Sequence, residues 1–342
     1  MNALRVGVVG SSFGGSVHVP AFRAQGDFEV VAIASPTRAS DVARERKIPQ
    51  AFATLREMLD AVDLDVVAVA SPPFDHRDAV LLALERGKHV LCEKPFALNV
   101  AQAEELLAAS ERAGTVCALA HEFRYTPSRF AIKELIDNGH LGALREIEAT
   151  VLMTFLRADV ERAPSWWFEA KRGGGIAGAI LSHVIDQANW LAGRAPRHAA
   201  GFGRTANPHR RYKGETFASD VPDGAFALLD YGDGLVARLA VDGTHPVDST
   251  TLAAHGEQRV AAVSGPNVLE VTMFVVDDEE TSELSLRPQK HANLAAVHPN
   301  LPPFVALLDE FAAAIAGRPA LLPTFADGLA TQRVLEAVGY SA

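Results

Sequence analysis

The stretch RVGVVGSSFGG, from Arg5 to Gly15, most limits the folds open to this chain. A β-branched run ends at a glycine, a short glycine-rich turn follows, and a helical pattern opens near His18. The alternation then repeats. Further β-branched runs lie at Glu29 to Ala34, Asp65 to Ala70, His89 to Cys92 and Thr115 to Ala120. Helical patterns lie between them at His18 to Gln25, Arg38 to Lys47, Leu55 to Ala61, Asp75 to Arg86 and Val100 to Ala113. Strands that are apolar throughout, each followed by a helix, predict a parallel sheet covered on both faces. Residues 1–122 are therefore expected to form a doubly wound α/β domain.

After Pro127 the pattern changes to a helix (Ser128 to Asn138), a long strand-like stretch (Leu144 to Phe155) and a glycine-interrupted helix (Ile176 to Leu191). Alternating strand candidates follow at Asp223 to Asp230, Leu235 to Val241, Ser249 to His255 and Arg259 to Ser264, with turn signals such as YGDG between them. Residues 123–342 are thus expected to form an α+β domain on a mostly antiparallel open sheet. Two helices, Pro303 to Ala316 and Asp327 to Tyr340, close the chain and are placed to pack back towards the first domain. The Gly-, Arg- and Asn-rich segment from Ala200 to Phe217 reads as a mobile loop. A length of 342 residues accommodates two such domains.

Composition narrows the partners. Lys and Arg number 32 against 42 Asp and Glu, a net charge of −10, and the signs are mixed along the chain. Nucleic-acid or anionic-membrane binding would need a basic face, so a small-molecule substrate is expected instead. Cys92 and Cys117 each lie in an apolar strand-like run without a second cysteine at metal or redox spacing, which predicts reduced thiols in a cytoplasmic protein. None of the 12 histidines forms a cluster with metal-ligand spacing, so no metal is expected. No apolar run suggests a signal peptide or a membrane span.

The turn Gly10-Ser11-Ser12-Phe13-Gly14-Gly15 stands where a dinucleotide-binding G-x-G-x-x-G stands. In that motif the first glycine makes the turn, the second lets pyrophosphate approach, and the third lets helix and strand pack closely. Gly10 and Gly15 match, while Ser12 replaces the middle glycine and offers a hydroxyl to phosphate. The amides at the helix start supply the rest of an anion site. No Asp or Glu lies between Val30 and Ser40, where an acid would grip the ribose of NAD. Ser35, Thr37 and Arg38 offer hydroxyls and a guanidinium there, which favours NADP over NAD, unless Arg38 is a solvated helix residue. Lys94 follows the strand His89 to Cys92 at the carboxyl edge of the sheet, where ligands of such folds sit. An ammonium there can polarise a reacting oxygen, the alternative being a surface lysine paired with Glu93.

These segments, with Glu93-Lys94-Pro95, resemble the glucose-fructose oxidoreductase, inositol dehydrogenase and MocA family (Gfo/Idh/MocA). Further matches are His18-Val19-Pro20, Ser71-Pro72-Pro73 with His76, Gly87-Lys88-His89-Val90, Arg124-Tyr125-Thr126-Pro127, Gly173-Gly174-Gly175, Ser182-His183-Val184-Ile185-Asp186, and Pro323-Thr324-Phe325 with Asp327-Gly328. The resemblance spans nearly the whole chain. It implies a Rossmann domain followed by a substrate and oligomerisation domain, a homodimer or homotetramer, and NAD(P)-dependent chemistry at a carbinol or carbonyl of a sugar, polyol or cyclic alcohol. It adds Ser71, Pro72, His76 and Glu93 to the cofactor-binding set and makes Lys94 and His183 the catalytic candidates.

Many relatives carry Asp four residues before the histidine, where this chain has Ala179, and Leu181 replaces a common glycine. The departure favours a more apolar or larger substrate. Asp186 is placed to fix the tautomer of His183 or simply to pack, and Ser182 joins the substrate-side candidates. His121, a reserve acid/base, and Glu122 end the strand Thr115 to Ala120, ahead of Arg124 and Tyr125 at the domain junction. Trp166, Trp167 and Lys171 precede the triple glycine, where an aromatic face could stack on a sugar and a lysine could bind a hydroxyl or carboxylate, with core packing the alternative for one Trp. Rival readings are a redox-cycling NAD-dependent glycosidase or lyase and a non-catalytic NADP-binding regulator. The presence of Lys94 favours an enzyme.

Overall fold

The structure is a computed structural model and describes residues 3–277 and 280–341. The first part of the chain runs β1 (Leu4–Val9), α1 (Val19–Gln25), β2 (Phe28–Ala34), α2 (Ala39–Arg46), β3 (Gln50–Phe52), α3 (Leu55–Ala61), β4 (Val66–Val69), α4 (Pro73–Glu85), β5 (His89–Cys92), α5 (Val100–Ala113) and β6 (Cys117–Leu119). The six strands are parallel in the order β3-β2-β1-β4-β5-β6. Every residue of β4 is buried, as a central strand covered on both faces requires. The strand order reverses between β1 and β4, which opens a crevice at their carboxyl ends. β3 is the one strand of this sheet that the sequence pattern did not predict.

The chain continues through α6 (Pro127–Asp137), β7 (Leu144–Leu152), α7 (Ser182–Ala192), β8 (His198–Arg204), β9 (His209–Tyr212), β10 (Glu215–Ala218), β11 (Gly224–Gly232), β12 (Leu235–Asp242), β13 (Ser249–Gly256), β14 (Val260–Gly265), β15 (Thr272–Val276), β16 (Thr281–Leu284), α8 (Leu301–Ile315) and α9 (Phe325–Ala337). An eight-stranded sheet has the order β16-β15-β14-β13-β7-β12-β11-β8, with β12 and β7 parallel and all other neighbours antiparallel. β12 shows why it is one-sided: Leu235, Ala237, Leu239 and Val241 are buried while the residues between them are not. The expected fold class, a Rossmann α/β domain with a mostly antiparallel α+β domain, is the one observed.

Two compact units emerge: one of residues up to Ala97, Ala101–Tyr125 and Gln289–Leu329, the other of Leu98–Val100, Thr126–Pro288 and the chain from Ala330. The first has a core of Val6, Val8, Phe22, Phe28 and Leu91 completed by Phe304 and Phe311 of α8. The second gathers Ile147, Ile185, Tyr231, Leu239 and Leu252.

The segment Ala200 to Phe217, expected to be a mobile loop, instead contributes to β8, β9 and β10. Its anchor is Asp223, fully buried, whose carboxylate accepts from the amides of Ala206 and Asn207 at 2.9 and 2.8 Å and from Arg210 at 3.2 Å. A buried carboxylate requires such partners, so the segment is held by charge-assisted bonds that composition does not reveal.

Candidate active site

The strands β1, β2, β4 and β5 deliver Gly10, Ser35, Ser71 and Glu93 to the carboxyl edge of the parallel sheet. Gly10 has φ +106°, and a Cβ there would lie 2.2 Å from the Ala70 carbonyl oxygen. Only glycine fits this crossing of β1 and β4. A Cβ at Gly14 would come 2.9 Å from Val8, and one at Gly15 would come 2.9 Å from Val42 of α2, so both glycines let the helical turn close on its neighbours. That turn, Gly14–His18, is π-type and runs directly into α1.

Ser12 is exposed, whereas the Phe13 ring packs edge-on against His18, His298 and Phe304. Ser35 is buried, and its hydroxyl donates to Ser11 Oγ at 3.1 Å. Thr37 and Arg38 are exposed, with Arg38 at the N-cap of α2. The Ser71 hydroxyl is buried and meets no hydrogen-bond partner among the described residues. A cleared glycine turn and an orphaned hydroxyl at the switch point fit a dinucleotide.

Around Lys94 the contacts are dense. His18, fully buried, places Nε2 2.9 Å from Oε1 of Glu93, and Glu93 Oε2 accepts the Lys94 backbone N–H at 3.3 Å. Burial alone would push the Glu93 carboxyl up, yet the His18 hydrogen bond and the charges of His18, Lys94 and His76 hold it below the ordinary carboxylate value. His76, equally buried, spans two carbonyls, with Nε2 2.9 Å from Ser71 O and Nδ1 3.0 Å from Pro95 O, and burial pulls its imidazole below the ordinary value. Pro72 N-caps α4, so this helix, the Ser71 turn and the cis Lys94–Pro95 turn meet at one imidazole. The Lys94 side chain is partly exposed. Burial pushes the Cys92 thiol well up and the Cys117 thiol to about 11, which makes both poor nucleophiles.

His121 and Glu122 follow β6 and are buried, and Glu122 accepts from Asn300 Nδ2 at 3.2 Å. Arg124 pairs with Asp327 at 3.3 Å, and the Tyr125 hydroxyl donates to Leu321 O at 2.6 Å, with all four residues in the first unit.

In the second unit the triple glycine turns the chain into α7. A Cβ at Gly174 would lie 2.3 Å from the Trp167 carbonyl oxygen, and the buried Tyr340 hydroxyl donates to Gly173 O at 3.0 Å. His183 and Asp186 are buried on α7. The Ser182 hydroxyl is committed to Gly178 O at 2.7 Å, a bond within its own helical segment. Trp166 and Trp167 are half-buried, and Trp167 packs between Phe155 and Phe168 under the Arg162 guanidinium, 5.6 Å from its ring centre. Lys171 is exposed. Three features went unread in the sequence: the His18–Glu93 pair, the Tyr340 brace and the Asp223 anchor. His18 and Glu93 each had a signal, their places in matched segments, but nothing in the sequence paired them.

No group of three or more His, Cys, Asp or Glu among the described residues could hold a metal ion, and no helix among them is long and apolar enough to cross a membrane.

Known proteins place this arrangement. A family model for oxidoreductases with an NAD-binding Rossmann fold matches residues 4–121, and the GFO/IDH/MocA C-terminal domain matches residues 130–262. An uncharacterised oxidoreductase of Synechocystis sp. is 35% identical over 201 residues, 58% of this chain and 54% of the relative. Levoglucosan dehydrogenase of Pseudarthrobacter phenanthrenivorans is 31% identical over 204 residues, 56% of this chain and 52% of the relative. The chain thus spans about half the length of these two relatives. A solved structure of levoglucosan dehydrogenase in complex with NADH and L-sorbose superposes with a TM-score of 0.86 at 24% identity, covering 99% of this chain and 96% of the other. With both of its domains matched, the chain belongs to the Gfo/Idh/MocA oxidoreductase family.

Proposed function

We propose that this protein transfers a hydride between NADP(H), in preference to NAD(H), and a carbinol or carbonyl of a sugar, polyol or related cyclic alcohol. The observation that carries the reading is Lys94: it stands at the carboxyl edge of the nucleotide sheet, directly after a buried carboxylate whose partners fix its turn. The sugar class draws support from the relative named levoglucosan dehydrogenase.

Gly10, Ser12, Phe13, Gly14 and Gly15 would cradle the pyrophosphate, with Ser71 and Pro72 beside it and Ser35, Thr37 and Arg38 at the ribose. When bound, the nicotinamide supplies the hydride acceptor or donor. The Lys94 ammonium donates to the reacting oxygen and stabilises the negative charge that develops there. His183 exchanges the hydroxyl proton, with Asp186 orienting its ring, and His121 is the reserve for that task. Trp167 and Lys171 contact the substrate beyond the reacting carbon.

The expected homo-oligomer draws support from the outer face of the large sheet, where Phe202, Leu228 and Val236 are 60%, 60% and 42% exposed on adjacent strands. The two unreactive thiols suit a cytoplasmic setting. A turnover screen of sugars, polyols and cyclic alcohols with both cofactors tests the reading. Cofactor-dependent turnover of at least one compound supports it, and none across the panel contradicts it.

A further inference from the structure

We propose that His18 and Glu93 form a positioning pair for Lys94: the imidazole holds the buried carboxylate so that the Lys94 backbone, and with it the ammonium, stands at the reacting oxygen. The proposal rests on the reading of Lys94 as the group that polarises that oxygen. It assigns a task to His18, which is fully buried and lies in a different βα unit from Lys94.

The geometry restricts how the pair works. His18 Nδ1 is buried without a hydrogen-bond partner among the described residues, amid the rings of Phe13, Phe22 and Phe304 at centroid distances of 5.9, 6.3 and 4.6 Å. A proton on Nδ1 would be buried without an acceptor, and it would leave the Nε2 lone pair facing a carboxylate. The proton therefore sits on Nε2 and is donated to Glu93 Oε1, an assignment made from the hydrogen-bond network. Oε2 is thereby turned to the Lys94 amide. The groups facing the carboxylate are His18 from the first βα turn, His76 from α4 and Lys94 itself, with the Cys92 thiol donating to the Glu93 carbonyl at 3.4 Å.

Because the bond needs only an N–H aimed at Oε1, an amide can replace the imidazole as its donor. His18→Gln keeps an N–H for Oε1, whereas His18→Leu keeps apolar bulk and loses the donor. Lys94 would then drift from its reactive placement, a displacement that lowers turnover without removing binding contacts.

The experiment compares kcat, KM and pH profiles of wild type, His18→Leu, His18→Gln and Glu93→Gln. In His18→Leu, kcat falls about 10- to 100-fold while sugar KM and the cofactor dissociation constant stay within about threefold. Its acid limb moves to higher pH, because the carboxylate has lost the bond that offsets its burial. His18→Gln retains roughly a third or more of kcat with an acid limb closer to that of wild type than the leucine variant has, and Glu93→Gln loses kcat as the leucine variant does. Infrared spectra of protein carrying carbon-13 glutamate give a readout that needs no turnover. At mildly acid pH the protonated Glu93 band, identified by its loss in Glu93→Gln, appears in His18→Leu and is absent in wild type and His18→Gln.

Unchanged kcat in His18→Leu, equal impairment of the leucine and glutamine variants, or an unaltered carboxyl band would each overturn the pair. If wild type turns over no sugar with either cofactor, the proposed activity fails on its own, and the infrared comparison alone decides the pair.

Discussion

The Ser35 hydroxyl donates to Ser11 Oγ at 3.1 Å and ties the end of β2 to the turn that follows β1. In the proposed function Ser35 stands at the adenosine ribose, with Arg38 exposed close by in sequence and no carboxylate between Val30 and Ser40. NADPH is therefore expected to bind about 10- to 150-fold more tightly than NADH, the range given by charge-assisted hydrogen bonds of roughly 1.5 to 3 kcal/mol. Arg38→Ala removes most of that difference. Fluorescence titration of both reduced cofactors measures it, and equal or NADH-favouring constants in the wild type contradict it.

Tyr340 braces the triple-glycine turn from the far end of the chain. Its hydroxyl bonds Gly173 O, and a Cβ at Gly178 would lie 2.7 Å from its ring. Tyr340→Phe should cost about 1 kcal/mol of stability. Gly178→Ala should cost about 1 to 3 kcal/mol, since a buried ring must shift. Urea denaturation of both variants tests this, and wild-type stability in Gly178→Ala would speak against the brace.

Asp327 gives a pH dependence of definite sign. Burial would raise its carboxyl, but the Arg124 guanidinium and the bonds from Thr324 hold it below the ordinary 3.8. With the folded value lower than the unfolded one, its stabilisation is complete above pH 3.8 and is lost as pH falls through the folded value. Asp327→Asn should be less stable than wild type at neutral pH and lose less stability on acidification. Urea midpoints measured across that range check it, and parallel curves for the two proteins would refute it.

His183→Asn should lower kcat more than it raises KM and alter the pH profile near neutrality, because the imidazole is the group assigned to proton exchange. An unchanged rate and profile would transfer that role to His121.

Much of this was legible in the residues. The limits of α3 and α5 fall where the helical patterns place them, and the turn role of Gly10 follows from backbone sterics, whereas the close approach to the first strand expected at Gly15 is made by Gly14, with Gly15 facing Val42 of α2 instead. β3 was missed because a three-residue strand, Gln50–Phe52, is too short to show a period. The strands between Ala200 and Phe217 were missed because their order comes from Asp223, a residue beyond the segment. Local composition sees neither. The same holds for His18 and Glu93, 75 residues apart, which become partners only when β1 and β5 enter one sheet. Long-range polar pairs are set by topology, and a single sequence carries no periodic trace of them.

The central claim is that Lys94 polarises the reacting oxygen, and steady-state kinetics of Lys94→Met with a turned-over sugar test it most directly. The account predicts that kcat falls by about 100-fold or more while the cofactor dissociation constant is nearly unchanged, as for a lost oxygen-polarising group. A rate within about threefold of wild type would contradict it.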